Sequence, residues 1–332
     1  MDRLDTGKPL SAASSITRTF PYLGIVMDDT LRWNKHLQAR SLKAKTAITT
    51  ISYTLRKIPE LDISNCLQLY TAIVSAFMLY GTEITHDVDM DFHDNLAAVF
   101  LRKACGLPPS FPTSVLLYLF SPASLKVLCL SRRLALWEKL KAAPAGSLLN
   151  LVLKEQYQLL SRGVPCWIRT CRDLLCEFGY SYVWNFGMPT KSFKKFLLKS
   201  CQIHMQLLWE RKARSQHSAL LLFNLEDRGL NKEWLLSWDR KVGPVLKLIV
   251  GQCYFPRLKR DNVVICPMCQ GAETPIHLFL CPALHSVVLK DISLPMRQEP
   301  DLADFLINCN RRELLHFLFT AFDTRKRSFQ SL

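Results

Sequence analysis

The sequence predicts a mainly α-helical protein that opens on a short β-hairpin. Three observations point there. Apolar residues recur every three or four positions through most of the chain. Pro and Gly punctuate those stretches at spacings that suit helices. Only Phe20 to Val26 gathers β-branched and aromatic residues into one short run. Hydrophobic residues make up 49% of the 332, enough for a sizeable core.

Residues 1–17 read as a flexible leader, polar and without the apolar stretch of a signal peptide. The strand or half-hairpin Phe20–Val26 follows, and Asp28-Asp29 supplies a turn. Asp29 or Thr30 can cap a first helix carrying Leu31, Trp33, Leu37 and Leu42 and running to Pro59. Asp62 or Ser64 caps a second helix that reaches Leu79. Asp91 to Cys105 forms a third, ended by Gly106 and stopped by Pro108-Pro109. Residues 111–165 read as helices broken at Pro112, Pro122, Pro144-Ala145-Gly146 and Gly163-Val164-Pro165, with Pro144–Ser147 as the candidate hinge. A tail from Pro300 to Phe322 carries Leu302, Phe305, Leu306, Leu314, Leu315 and Phe319 as its apolar stripe. The expected division is 1–17, 18–110, 111–250 and 251–332.

Charge narrows the partner. Lys and Arg number 43 against 28 Asp and Glu, a formal net charge of +15. Such an excess suits an anionic polymer or surface. It is concentrated in places. From Arg32 to Lys57 stand Arg32, Lys35, Arg40, Lys43, Lys45, Arg56 and Lys57, with His36 a further cation when protonated, and no acid. A helix with one apolar and one cationic stripe suits a phosphate backbone, although a plain solvated face would look similar. A second stretch places Lys191, Lys195 and Lys199 on one helix face, with Lys194 beside them. Phe193, Phe196 and Trp209 interleave with these cations, either to stack on bases or to pack inward. Arg257, Lys259 and Arg260, next to Tyr254 and Phe255, form a third basic run.

The sharpest local signal is Cys266-x₂-Cys269-x₇-His277-x₃-Cys281. Two thiols on a tight turn, and a His and a Cys one helical turn apart, make a closed tetrahedral zinc site with no open position. Zinc there is structural. Cys253, His285 and Cys309 are weaker candidates for ligands. The other cysteines, such as Cys129 within Val127-Leu128-Cys129-Leu130, read as buried free thiols, since a chain this long needs no disulfide staples. The expected setting is intracellular, nuclear or cytoplasmic. Cys66 to Tyr80 is apolar but too short for a membrane span, so no membrane partner is expected.

Catalytic patterns are lacking. Val26-Met27-Asp28-Asp29 has the look of a polymerase aspartate pair that binds two metals. The third carboxylate would have to come from Asp2 or Asp5, and Val26 stands where an aromatic belongs. Glu299-Pro300-Asp301-Leu302-Ala303-Asp304 lacks the lysine of a nuclease, and Asp301 suits a helix cap. There is neither a Gly-rich phosphate loop nor an H-E-x-x-H.

Tyr22-Leu23-Gly24-Ile25, Asp28-Asp29, Leu31, Trp33 and His36 resemble a segment of LINE-type retrotransposon reverse transcriptases, just past the palm. Leu69-Tyr70, Leu79-Tyr80-Gly81-Thr82-Glu83, and Val99-Phe100-Leu101-Arg102-Lys103 with Gly106-Leu107-Pro108 resemble that family's thumb helices. The Cys-Cys-His-Cys segment resembles its C-terminal zinc knuckle, with a shorter final spacing. The likeness runs in the family's order over 18–110 and 250–285. It implies a thumb-like bundle, a helical linker and a knuckle, with fingers, palm and endonuclease missing. It also implies that Arg32, Lys35, Lys43 and Lys45 contact a duplex and that the knuckle region binds RNA or DNA. The resulting expectation is a nucleic-acid-binding remnant that is not an enzyme. A zinc-stabilised protein-interaction module and a relic without function stay open, as does the oligomeric state.

Overall fold

β1 (Thr19–Tyr22) and β2 (Ile25–Asp28) pair antiparallel with Tyr22 opposite Ile25. Leu23 and Gly24 close the hairpin at φ 45° and 77°, the two left-handed positions of a type I′ turn. Asp28 ends the second strand, and the rest of the expected Asp28-Asp29 turn lies outside the described residues. A computed structural model describes residues 19–28, 33–58, 62–85, 91–188, 190–228, 232–233, 241–250, 259–260, 263–266, 268–272, 277–284, 302, 306 and 310–330. The leader, Asp29, Leu31, Arg32, Arg257, Phe305, Cys253, His285 and Cys309 lie outside these residues.

Helices account for most of the rest, so the fold is mainly α. The first runs Asn34–Lys57. Its buried stripe is His36, Arg40, Ala44, Ile48, Ile51 and Leu55, not the stripe expected through Leu42, which is 67% exposed. The offset arises because the hairpin, and not an apolar core, receives the first turns of this helix. Asp62 caps the next helix, its side chain accepting from the Asn65 N–H at 2.6 Å. That helix reaches Leu79 through a π-helical segment, Tyr70–Ser75.

Asp91–Ala104 ends on Gly106, with the Leu107 N–H bonded to the Arg102 carbonyl at 2.7 Å, a Schellman-type stop. Arg102 itself grips the following loop. Its Nε donates to the Phe111 carbonyl at 2.9 Å and its Nη2 to Thr113 Oγ1 at 2.7 Å.

The four expected breaks separate Asp91–Ala104, Thr113–Phe120, Leu125–Lys141, Leu148–Ser161 and Trp167–Glu177 from one another. Pro144–Ser147 is a tight turn between helices that touch, Trp137 Nε1 donating to the Tyr157 hydroxyl at 3.2 Å. Ser181–Phe186 follows and brings Trp184 parallel to Trp137, with centroids 5.3 Å apart. Lys191–Arg214 packs along Thr113–Phe120. Leu220–Asp227 and Val242–Ile249 complete the middle of the chain. One apolar cluster joins these helices to the C-terminal part.

Cys129 and Cys171 lie in that cluster as free thiols. Burial pushes Cys171 up to about 12, which keeps it a thiol. Among the described residues no single helix is long and apolar enough to cross a membrane.

The final helix, Arg311–Gln330, turns Leu314, Phe317, Leu318, Ala321 and Arg325 inward, all fully buried. The expected tail stripe fails at Phe319, which is 52% exposed. The helix runs past Phe322 to Gln330, and its seam passes through Phe317 and Ala321 instead.

Candidate metal centre and cationic faces

The hairpin β3 (Lys259–Arg260) and β4 (Val263–Val264) leads into the Cys/His segment. Ile265 bridges to Ala272. Between them the Cys266 N–H donates to the Gly271 carbonyl at 2.9 Å, and the Gln270 N–H donates to the Cys266 carbonyl at 3.0 Å. Gln270 takes φ 60°, a strained value that tightens the turn. Cys266 and Cys269 thus share one knuckle. His277 opens the short helix His277–Leu280, and Cys281 follows it.

Fold and spacing converge on one point. The donor atoms of Cys266, Cys269, His277 and Cys281 all lie within 4.8 Å of one another. Cys266 Sγ and Cys281 Sγ are 3.7 Å apart, and Cys269 Sγ is 3.2 Å from His277 Nε2. Tetrahedral bonds of about 2.0–2.3 Å place neighbouring ligand atoms roughly 3.5–4 Å apart, so the cluster is compatible with a metal ion. Cys266 and Cys281 are fully buried, while Cys269 and His277 lie nearer the surface.

The basic residues sort into two groups. One group is structural. Arg40 is buried, its Nη2 donating to the Gly24 carbonyl and its guanidinium lying 4.3 Å from the Tyr80 ring. His36 is fully buried between the hairpin and Tyr80. Neither can serve on a solvent-facing cationic stripe, which corrects the charge expected for the first helix. The cause is their position under the hairpin. Lys126 pairs with Glu177 at 2.5 Å, Arg132 with Glu83 at 3.0 Å and Lys194 with Glu138 at 2.5 Å. Arg133, buried, donates to the carbonyls of Thr82 and Thr85 at 3.0 and 2.7 Å.

The second group faces solvent. Lys35, Lys43 and Lys45 are exposed on the first helix. Lys191, Lys195 and Lys199 are exposed at successive turns of Lys191–Arg214. Among the described residues no carboxylate lies within 4 Å of these six. The aromatics between them divide. Phe196 is 60% exposed, whereas Trp209 is buried at 3% and unavailable for stacking. Phe193 packs partly against the core. Lys259 and Arg260 form the first strand of the hairpin that leads into the Cys/His segment.

Sequence reasoning missed Arg325. Its charge reads as part of a solvated tail, yet it sits fully buried on the seam that covers the knuckle. The apolar spacing of Leu314, Phe317, Leu318 and Ala321, extended one turn, would have found it.

Compared with known proteins, the chain is 28% identical over 98 residues to the RNA-directed DNA polymerase from mobile element jockey of Drosophila funebris. That alignment covers 28% of this chain and 11% of that protein. No family model matches the chain, and no solved structure matches it. The chain therefore carries a distant similarity to a retrotransposon reverse transcriptase over part of its length, alongside a four-residue cluster suited to a metal.

Proposed function

We propose that this is a retroelement-derived protein that holds RNA or DNA on cationic helix faces, carries one structural zinc, and performs no chemistry on what it binds. The single observation behind it is the set of six exposed lysines on two long helices, none with a described carboxylate within 4 Å. Unpaired surface ammonium groups exchange their counterions for phosphates at little cost. Three thiolates and an imidazole are a zinc donor set, and they leave no coordination position for substrate. The zinc would cross-brace the turn at Cys266 to the helix at His277. A binding assay tests this reading: labelled single-stranded and duplex RNA and DNA are titrated at low salt, and primer extension is run in parallel with magnesium and deoxynucleotides. Binding without extension is expected. Absence of binding at low salt, or extension of the primer, would contradict it.

One observation favours a protein partner as a second reading. Leu148, Leu149, Leu151 and Val152 are 76%, 41%, 52% and 40% exposed at the start of one helix, more apolar surface than a single helix end normally leaves in water.

A further inference from the structure

Four aromatic rings run in series across the junction of Ser181–Phe186 and Lys191–Arg214. Tyr180 meets Tyr182 with centroids 6.0 Å apart, Tyr182 meets Phe193 at 6.4 Å, and Phe193 meets Phe196 at 6.3 Å. The planes are inclined by 54°, 60° and 39°, so no ring covers its neighbour's face by stacking. Tyr182 and Phe196 are 45% and 60% exposed, while Tyr180 and Phe193 are half-buried and pack on the core. The series is fixed from below at two points. Trp184, on the helix that carries Tyr182, stacks on Trp137. Lys194, next to Phe193, pairs with Glu138 on that same underlying helix. Thr190 caps Lys191–Arg214 by accepting from the Phe193 N–H at 3.1 Å.

Lys191, Lys195 and Lys199 border these rings, exposed at successive turns. Lys195 precedes Phe196 directly, and Lys199 stands one turn after it, on a neighbouring strip of the same helix face. Ammonium groups take phosphates and bare rings take base faces, a pairing that suits an unpaired strand. A duplex offers phosphates but keeps its bases stacked, about 3.4 Å apart along each strand, well short of the ring-to-ring steps seen here. We propose that Tyr182, Phe196 and the row Lys191, Lys195 and Lys199 form a site selective for single-stranded nucleic acid, with bases stacked on the rings and phosphates at the lysines. This rests on reading the exposed lysines as a nucleic-acid face and names the form that face accepts. Lysines with no described carboxylate within 4 Å match a polyanion better than an apolar protein surface. The anchored helices hold the two exposed rings in place, so little freedom is lost when a base settles on them.

The test is a fluorescence-anisotropy titration of the full chain at fixed salt with three probes of equal length: labelled oligothymidine, an abasic strand with the same phosphates, and a duplex. The parent should bind oligothymidine most tightly. Phe196→Ala and Tyr182→Ala should each weaken oligothymidine binding by roughly 5–150-fold while leaving the abasic strand and the duplex nearly unchanged. Phe196→Tyr, which keeps a π face, should retain most of the affinity. Equal affinity of the parent for oligothymidine and the abasic strand overturns the proposal, and that comparison needs no variant to fold. So does an equal loss on all three probes in Phe196→Ala, the mark of a structural role, or full oligothymidine affinity in both alanine variants. A parent that binds none of the three probes refutes instead the cationic reading underneath.

Discussion

His36 Nε2 donates to the main-chain carbonyl of Tyr80 at 2.9 Å, across 44 residues of sequence. The direction follows from the other ring nitrogen. Nδ1 receives the Val26 N–H at 3.2 Å, so it must be unprotonated and the proton sits on Nε2. Arg40 and the Tyr80 hydroxyl add bonds to the carbonyls of Gly24 and Leu23, the latter at 2.5 Å. Four side-chain bonds thus join hairpin, first helix and the Tyr80 turn. Gly81 permits it: a Cβ there would lie 2.9 Å from His36 Nε2, at φ 80°.

This clamp predicts a pH dependence. Burial holds His36 below its ordinary value of 6.5, against the Tyr80 bond and with the help of the Arg40 charge. The unfolded chain therefore takes up the proton first as pH falls. Stability is full above about 6.5 and is lost as pH drops through the window between that value and the depressed folded value. Thermal unfolding between pH 7.5 and 5 should show the decline, and His36→Gln should flatten it. His36→Ala should cost about 1–3 kcal/mol by leaving the Val26 and Tyr80 groups without their partner.

Gly243 makes a steric prediction. A Cβ at this position would stand 2.0 Å from the Cys105 carbonyl oxygen, so backbone must move to admit even a methyl group. Gly243→Ala should destabilise by about 1–3 kcal/mol, read in denaturant unfolding as a lower midpoint. An unchanged midpoint would mean that Val242–Ile249 does not seat against the end of Asp91–Ala104.

If the Cys266–Cys269–His277–Cys281 cluster holds zinc as proposed, removing it should act locally. Chelation should raise amide exchange across residues 265–284 while leaving Leu125–Lys141 protected, because that helix is held by Trp137, Arg133 and its apolar neighbours. A zinc site of this type contributes on the order of 10 kcal/mol to the segment it organises. Three thiols should become reactive together on chelation, beyond the exposed Cys176.

Much of this was legible in the residues. Every Pro or Gly break between Pro112 and Pro165 separates two helices, since Pro removes a donor and fixes φ whatever surrounds it. The Asp62 cap and the Gly106 stop are likewise local chemistry. The four residues of the metal-compatible cluster were legible because spacing alone brings them together once the turn and helix form. Which face a helix buries was less so. Leu42 and Phe319 look like core residues, but neighbours far away in sequence decide the seam. The burial of His36 and Arg40 depends on a hairpin and a Tyr80 turn that lie outside their own helix. The π-helical turn at Tyr70–Ser75 leaves no trace in a six-residue apolar run.

Lysines that face solvent and hold polyanions make binding depend on salt. The decisive measurement is the slope of log affinity against log salt for a single-stranded oligonucleotide, for the parent and for Lys191→Ala/Lys195→Ala/Lys199→Ala. Each phosphate contact on a single strand contributes about 0.7 to that slope, so the triple variant should bind more weakly with a slope shallower by roughly 2. A parent whose affinity ignores salt, or a variant with an unchanged slope, would contradict the account.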